Sequence, residues 1–340
     1  MTQPSHAFWR GKRVLVTGHT GFKGSWLCRM LAMLGAEVHG LALDPEAGPS
    51  PFVALGVKPV LAADHRADIR DAARLARLLR EARPEIVFHL AAQALVGRSH
   101  RDPAGTFATN VMGTVHLLDA VRGLGVAAVL VVTSDKVYRN DGKGLPFVEG
   151  DPLGGADPYS ASKAACEIAA ASCRASFDLR LATARAGNVI GGGDFSEDRI
   201  IPDLVRAMVD GVPLKVRQPE ATRPFQHVRD VLRGYLLFAE RIAAGDAPPA
   251  LNFGPHDGAV KVRDLLALWG EVRWERVADE AYREAPRLAL DSTLAGRTLG
   301  WAPGLDTPQT IAVTAAWYAR WRKGEDMAAV TDAEIAACLA

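Results

Sequence analysis

Three glycines spaced three residues apart, Gly18, Gly21 and Gly24, stand in the stretch VTGHTGFKGSWL from Val16 to Leu27. An apolar run, Val14–Val16, leads in, and a helical pattern follows to about Leu34. This strand, bare turn and helix form the strongest constraint on the fold. Backbone N–H groups with no side chains over them, at a helix N-terminus, make a site for an anion such as a pyrophosphate. Such a site forms where a strand's carboxyl end meets the next helix, the arrangement of a parallel, doubly wound sheet. The spacing is G-x-x-G-x-x-G rather than the more familiar G-x-G-x-x-G.

The following sequence keeps the same rhythm. Arg13–Thr17, Glu37–Leu43, Ile86–Ala91, Ala127–Thr133 and Arg180–Ala184 read as strands. Asp71–Glu81, Thr106–Leu124 and Pro158–Ala175 read as helices between them. Near-continuous apolar strands alternating with helices predict an α/β fold, a Rossmann-type doubly wound parallel sheet covered on both faces. After Asn188 the rhythm breaks, with a loop GNVIGGGD, a helix Ile200–Asp210 and a Pro- and Arg-rich stretch. Residues 1–188, with about 230–251 returning, are expected to form the first unit. About 189–229 and 252–340 are expected to form a smaller mixed α/β C-terminal unit for substrate.

With 340 residues, 49% of them hydrophobic, the chain can bury a large core. A net charge of +1 argues against nucleic acid or an anionic membrane as partner. No apolar stretch reaches membrane-span length. Cys28, Cys166, Cys173 and Cys338 lack metal-ligand spacing, so no metal is expected, and they read as reduced thiols of a cytoplasmic protein.

Asp44 lies 20 residues past Gly24, at the end of the second strand. A carboxylate there holds the ribose hydroxyls of NAD and repels a 2′-phosphate. No arginine follows it within several residues, which favours NAD over NADP. Asp68 and Ile69 end a third apolar stretch and are candidates for the adenine edge; Asp68 or Asp71 also suits a helix N-cap. Tyr159 and Lys163 are four apart on a helix that Asp157 and Pro158 begin, so they share a face. An ammonium beside a phenol lowers its pKa, which suits Tyr159 to take a proton from a sugar hydroxyl. Met30, Met33, Leu34, Trp317, Tyr318 and Trp321 read as packing residues.

Glycine loop, Y-x-x-x-K pair and alternating pattern together resemble the extended short-chain dehydrogenase/reductase family, from Trp9 to about Trp321. Within it, VVTSDKVY (Val131–Tyr138), with Lys136 where related dehydratases have glutamate, resembles the nucleotide-sugar 4,6-dehydratases that act on CDP-glucose. FHLAAQALV, DPLGGADPYSASKA, ARAGNVIGGGDF and ATRPFQHV agree with this. The resemblance implies NAD as cofactor, CDP-glucose or a related nucleotide sugar as substrate, and loss of water as the reaction. It implies that Tyr159, Lys163 and Ser134 act at the sugar O4, that Asp135 protonates the departing hydroxyl, and that Lys136 acts at C5 as a neutral base or a charged stabiliser. Besides the glycines, it implies Thr20, Phe22, Lys23, Leu90, Ala91, Ala92 and Thr109 in cofactor binding. Asn188, Arg199, Arg217 and Arg223 are candidate phosphate ligands, since guanidinium forks match phosphate oxygens. Gln93 is placed over the sugar or the nicotinamide, and His227 reads as structural as easily as functional. A homodimer or homotetramer through the helices 106–124 and 158–175 is expected.

Overall fold

The strand leading into the glycine turn, β1 (Arg13–Thr17), has a parallel partner on each edge: Val14 faces Val38 of β2 (Glu37–Ala42) and Ile86 of β4 (Ile86–His89). In the computed structural model, which describes residues 1–142, 144–278 and 288–340, these strands are the middle of a seven-stranded sheet. β3 (Ala63–Arg66) closes one edge, and β5 (Ala128–Val132), β6 (Leu181–Ala186) and β7 (Ala250–Phe253) extend the other. The order is β7-β6-β5-β4-β1-β2-β3, all parallel. The chain reverses its direction of winding between β1 and β4, and ligands bind at such a switch point, beyond the strands' carboxyl ends.

The period-two alternation of each strand divides its side chains between two cores. Val14, Val16, Ile86, Phe88, Leu130 and Val132 pack into the larger one with Trp9 and Trp26. Leu15, Val87, Val129 and Val131 pack into the other with Leu41 and Leu117. The Rossmann-type sheet expected from the sequence is present. β7 was not anticipated, because four residues, ALNF, carry too little pattern to separate a strand from a loop.

Helix boundaries follow local capping. Gly21 caps α1 (Phe22–Met33), and Asp71 caps α2 (Ala72–Ala82) through the Arg74 N–H. Asp157 caps α3 (Pro158–Phe177), with Pro158 in the first turn. The helix expected over 106–124 starts at Pro103, because Asp102 caps there, and ends at Val121. A widened π turn interrupts it at Ala108–Met112. Asn110 in that turn donates to the Gln93 carbonyl (3.0 Å) and the Ser162 hydroxyl (2.8 Å), tying the β4 loop to α3.

Beyond Asn188, short two-stranded pairs and helices build the smaller unit. Part of its expected span, 279–287, lies outside the described residues. α4 (Val228–Ala244) returns to pack on the sheet. The C-terminal helix α5 (Met327–Leu339) packs on α1 and α4, and Asp332 pairs with Arg29 of α1. Trp317 and Tyr318 are buried packing residues, as are Met30 and Leu34.

Two buried histidines are neutral. His89 shares hydrogen bonds with Thr17 Oγ1 (2.8 Å) and Thr114 Oγ1 (3.0 Å), and burial brings its pKa down to about 3. His227, against the Trp26 ring, is brought down to about 3 by burial with a contribution from the Arg229 charge. Above the unfolded value of about 6.5 neither state binds the proton. Below it the unfolded chain takes up protons that the folded chain refuses, so each of these two groups takes stability away as pH falls, by roughly 1 kcal/mol per pH unit. Glu334, 3.7 Å from His227 and raised by burial to about 7, opposes them over the same range. Urea unfolding between about pH 7 and pH 5 is expected to lose less stability in His89→Gln than in the natural protein; equal slopes would contradict it.

Candidate active site

The glycine turn is built by close packing. Gly18 has φ +74°, and a Cβ there would lie 2.7 Å from the Ala91 nitrogen. A Cβ on Gly24 would lie 2.2 Å from the Gly18 carbonyl oxygen, so any side chain would push α1 off the loop. Gly21, at the helix cap, meets nothing closer than 3.4 Å. The result is an open helix N-terminus at the carboxyl end of β1, which fits the pyrophosphate of a dinucleotide.

Thr20 donates to the Leu43 carbonyl at the end of β2, and Phe22 turns into the core. Leu90, Ala91 and Ala92 follow β4 half-buried, and Thr109 is half-buried on the π turn. The Asp44 side chain is 86% exposed beyond β2. Asp68 holds Arg70 through both carboxylate oxygens, and Ile69 is buried against Gly113. Asp71, rather than Asp68, caps the helix. No arginine follows Asp44 within several residues of the sequence, but in space Arg66 Nε, from β3, lies 3.7 Å from its carboxylate.

A cavity of about 700 Å³ opens at the carboxyl ends of β5 and β6. Ser134, Asp135, Lys136, Tyr159, Asn188, Arg199, Arg217 and Arg223 all line it. Lys23 lines it too: its side chain leaves the glycine loop for the substrate side. Burial, with the charges of Arg199 and Lys163, brings the Lys23 ammonium down to about 7.

Ser134 follows β5 and caps a single turn, accepting from the Lys136 N–H (3.2 Å) and donating to Asp135 Oδ1 (3.0 Å). Asp135 is buried, and its Oδ2 has no protein partner. Burial raises its pKa despite the opposing charge of Lys136, the Ser134 hydrogen bond and the charges of Arg223 and Lys23. A carboxyl whose pKa is raised suits a general acid. Tyr159 shares a hydrogen bond with Ser134. Burial lifts its phenol to about 12, against the pull of that hydrogen bond and of the Arg199 charge. Lys163 is buried and donates to the Val132 carbonyl (3.1 Å), and burial lowers its own pKa.

Three features lay outside the sequence reading. Gln93 does not line the cavity: its amide donates to Thr106 Oγ1 and accepts from the Leu95 N–H, holding its own loop. Asp194, buried on the cavity wall, grips Arg199 at 3.0 Å and so fixes a cation beside Tyr159. Gly187 leaves room at the acid, since a Cβ there would sit 3.2 Å from Asp135 Oδ2 and 2.7 Å from Pro224. His227 lies buried at the start of α4 and does not line the cavity.

Among the described residues no group of His, Cys, Asp and Glu could hold a metal ion, and no helix is long and apolar enough to cross a membrane. The model of the NAD dependent epimerase/dehydratase family matches residues 14–254. The chain is 42% identical to the CDP-glucose 4,6-dehydratase of Salmonella typhimurium, over 96% of each protein. It is 32% identical to the UDP-glucose 4-epimerase of Mycolicibacterium smegmatis, over 90% of this chain and 98% of that one. The dTDP-glucose 4,6-dehydratase of Streptomyces venezuelae, solved with NAD bound, superposes with a TM-score of 0.78 at 29% identity, covering 92% of this chain and 98% of that one. Glycine cradle, Tyr159–Lys163 pair and these matches agree: the chain belongs to the NAD dependent epimerase/dehydratase family.

Proposed function

We propose that the protein removes water from CDP-glucose, giving the CDP-linked 4-keto-6-deoxy sugar. The observation that carries this reading is Asp135, a buried carboxyl with one unpartnered oxygen in the cavity beside Ser134, whose pKa burial raises. An epimerase has no leaving hydroxyl to protonate and needs no such acid.

Bound NAD supplies an acceptor that holds a hydride from C4 and returns it at C6. The residues handle the protons. Tyr159, oriented by Ser134, takes the O4 proton, helped by the cation Arg199 beside it, while Lys163 is anchored to the Val132 carbonyl. Lys136 lines the same wall, where a neutral amine takes the C5 proton and a charged one stabilises the enolate. Asp135 protonates the C6 hydroxyl, which leaves as water. Asn188, Arg217 and Arg223, which line the same cavity, suit the diphosphate. Exposed Phe107, Met112 and Ile168 lie on the helical run 103–112 and on α3, which pack together, and support assembly of two copies through these helices. Four free cysteines support a cytoplasmic setting.

The test is to incubate the protein and NAD with CDP-, dTDP-, GDP- and UDP-glucose separately and weigh the products. Loss of one water with CDP-glucose alone is expected. An isobaric product would sink dehydration, and water lost chiefly from another nucleotide would sink the cytidine assignment. Asp135→Asn, which keeps the shape but carries no acidic proton, is expected to slow water loss by about 10²-fold or more; near-normal turnover would remove Asp135 from the role.

A further inference from the structure

A cation stands where the sequence suggested only an anion. Arg66, on the edge strand β3, places Nε 3.7 Å from Asp44 Oδ1. Its other donors are fixed: Nη2 to Asp64 (2.7 Å) and Nη1 to the Leu43 carbonyl (3.2 Å). The Phe52 ring lies against the guanidinium, 4.7 Å from its centroid. The same anchors hold the glycine loop, because Thr20 also donates to the Leu43 carbonyl and His19 bonds the second oxygen of Asp64 at 2.9 Å. A further cation, Arg74, bonds the Arg66 carbonyl.

We propose that Arg66 sets the cofactor discrimination of this protein: it tempers the rejection of a 2′-phosphate by Asp44, so that NADP is bound alongside NAD. The proposal rests on the placement of the dinucleotide described above. The two side chains differ in freedom. The Asp44 carboxylate is 86% exposed and can rotate away from a phosphate, whereas the Arg66 side chain is 28% exposed and held at three points. An incoming 2′-phosphate displaces the mobile anion and meets a fixed guanidinium fork. Asp44 and Asp64 face Arg66 and Arg74 here, and burial lowers the pKa of His19. Asp44, the carboxylate at the end of β2, keeps NAD the preferred cofactor in the natural sequence.

The experiment titrates the purified protein with NAD⁺ and, separately, NADP⁺, by calorimetry without sugar substrate, and reads the ratio of the two Kd values. Because both titrations use one preparation, a partly unfolded variant does not distort the ratio. Asp44→Ser is expected to shift the ratio toward NADP by about tenfold or more, the worth of one charged hydrogen bond. Arg66→Met is expected to shift it toward NAD by a similar factor. The double variant is expected to lose the NADP gain of Asp44→Ser. Arg66→Lys, which keeps the charge without the fork, is expected to fall between Arg66→Met and the natural protein. A ratio unmoved within about twofold in Arg66→Met and Arg66→Lys would overturn the proposal. Failure of the natural protein to bind either dinucleotide would instead overturn the cofactor placement itself.

Discussion

Replacing Tyr159 by Phe is expected to abolish turnover, by about 10³-fold or more, while NAD binding measured by titration stays within a few fold. The change deletes one oxygen from a cavity wall and leaves the ring, so the fold has no reason to move. What disappears is the acceptor for the O4 proton and the partner of the Ser134 hydroxyl. Without cofactor the phenol sits at about 12, raised by burial, and the cation Arg199, locked by Asp194, opposes that rise. The cationic surroundings are thus part of the base. Lys163, on the next turn of α3, is anchored to the Val132 carbonyl. Turnover of the Phe variant within about threefold of the natural enzyme would sink the mechanism. Normal NAD affinity with lost turnover would separate chemistry from binding.

The largest effect on stability is expected beneath the site. Glu167 of α3 accepts from Thr133 Oγ1 (2.5 Å), Thr183 Oγ1 (2.6 Å) and Arg185 Nη2 (2.7 Å). Arg185 also donates to the Tyr138 hydroxyl (2.9 Å) and the Glu149 carbonyl (3.0 Å), and Tyr138 in turn donates to Asn252 Oδ1 (2.6 Å). This network joins β5, β6, β7 and α3, and its Thr133 is the residue before Ser134. Arg185→Met strands a buried carboxylate and is expected to cost about 3–5 kcal/mol in urea unfolding. Arg185→Met combined with Glu167→Gln removes both charges and is expected to restore part of that loss. A cost under about 1 kcal/mol for the single change would show that water reaches Glu167 and that the pair is not a structural anchor.

Features encoded by neighbouring residues were legible from the chain alone. The glycine spacing, the Asp157–Pro158 helix start and the i, i+4 placement of Tyr159 and Lys163 depend on a few consecutive residues and their backbone geometry. Strand alternation was legible for the same reason, and with it the parallel sheet. The four-residue strand β7 escaped because it is too short to show a period.

The unforeseen features join distant parts of the chain. Arg66 reaches Asp44 because β3 lies beside β2 in the sheet, though 22 residues separate them in sequence. Lys23, on the glycine-loop helix, also lines the cavity beyond β5 and β6. Asp194 meets Arg199, and Gly187 meets Asp135, only after the loop beyond β6 folds over the end of β5. By itself the sequence determined most of the strands and helices and the glycine turn, since each follows from short-range sterics and periodicity. The tertiary structure alone decided which charges face one another and which carboxyl burial raises, because desolvation and Coulomb forces depend on distances through space that no spacing along the chain records.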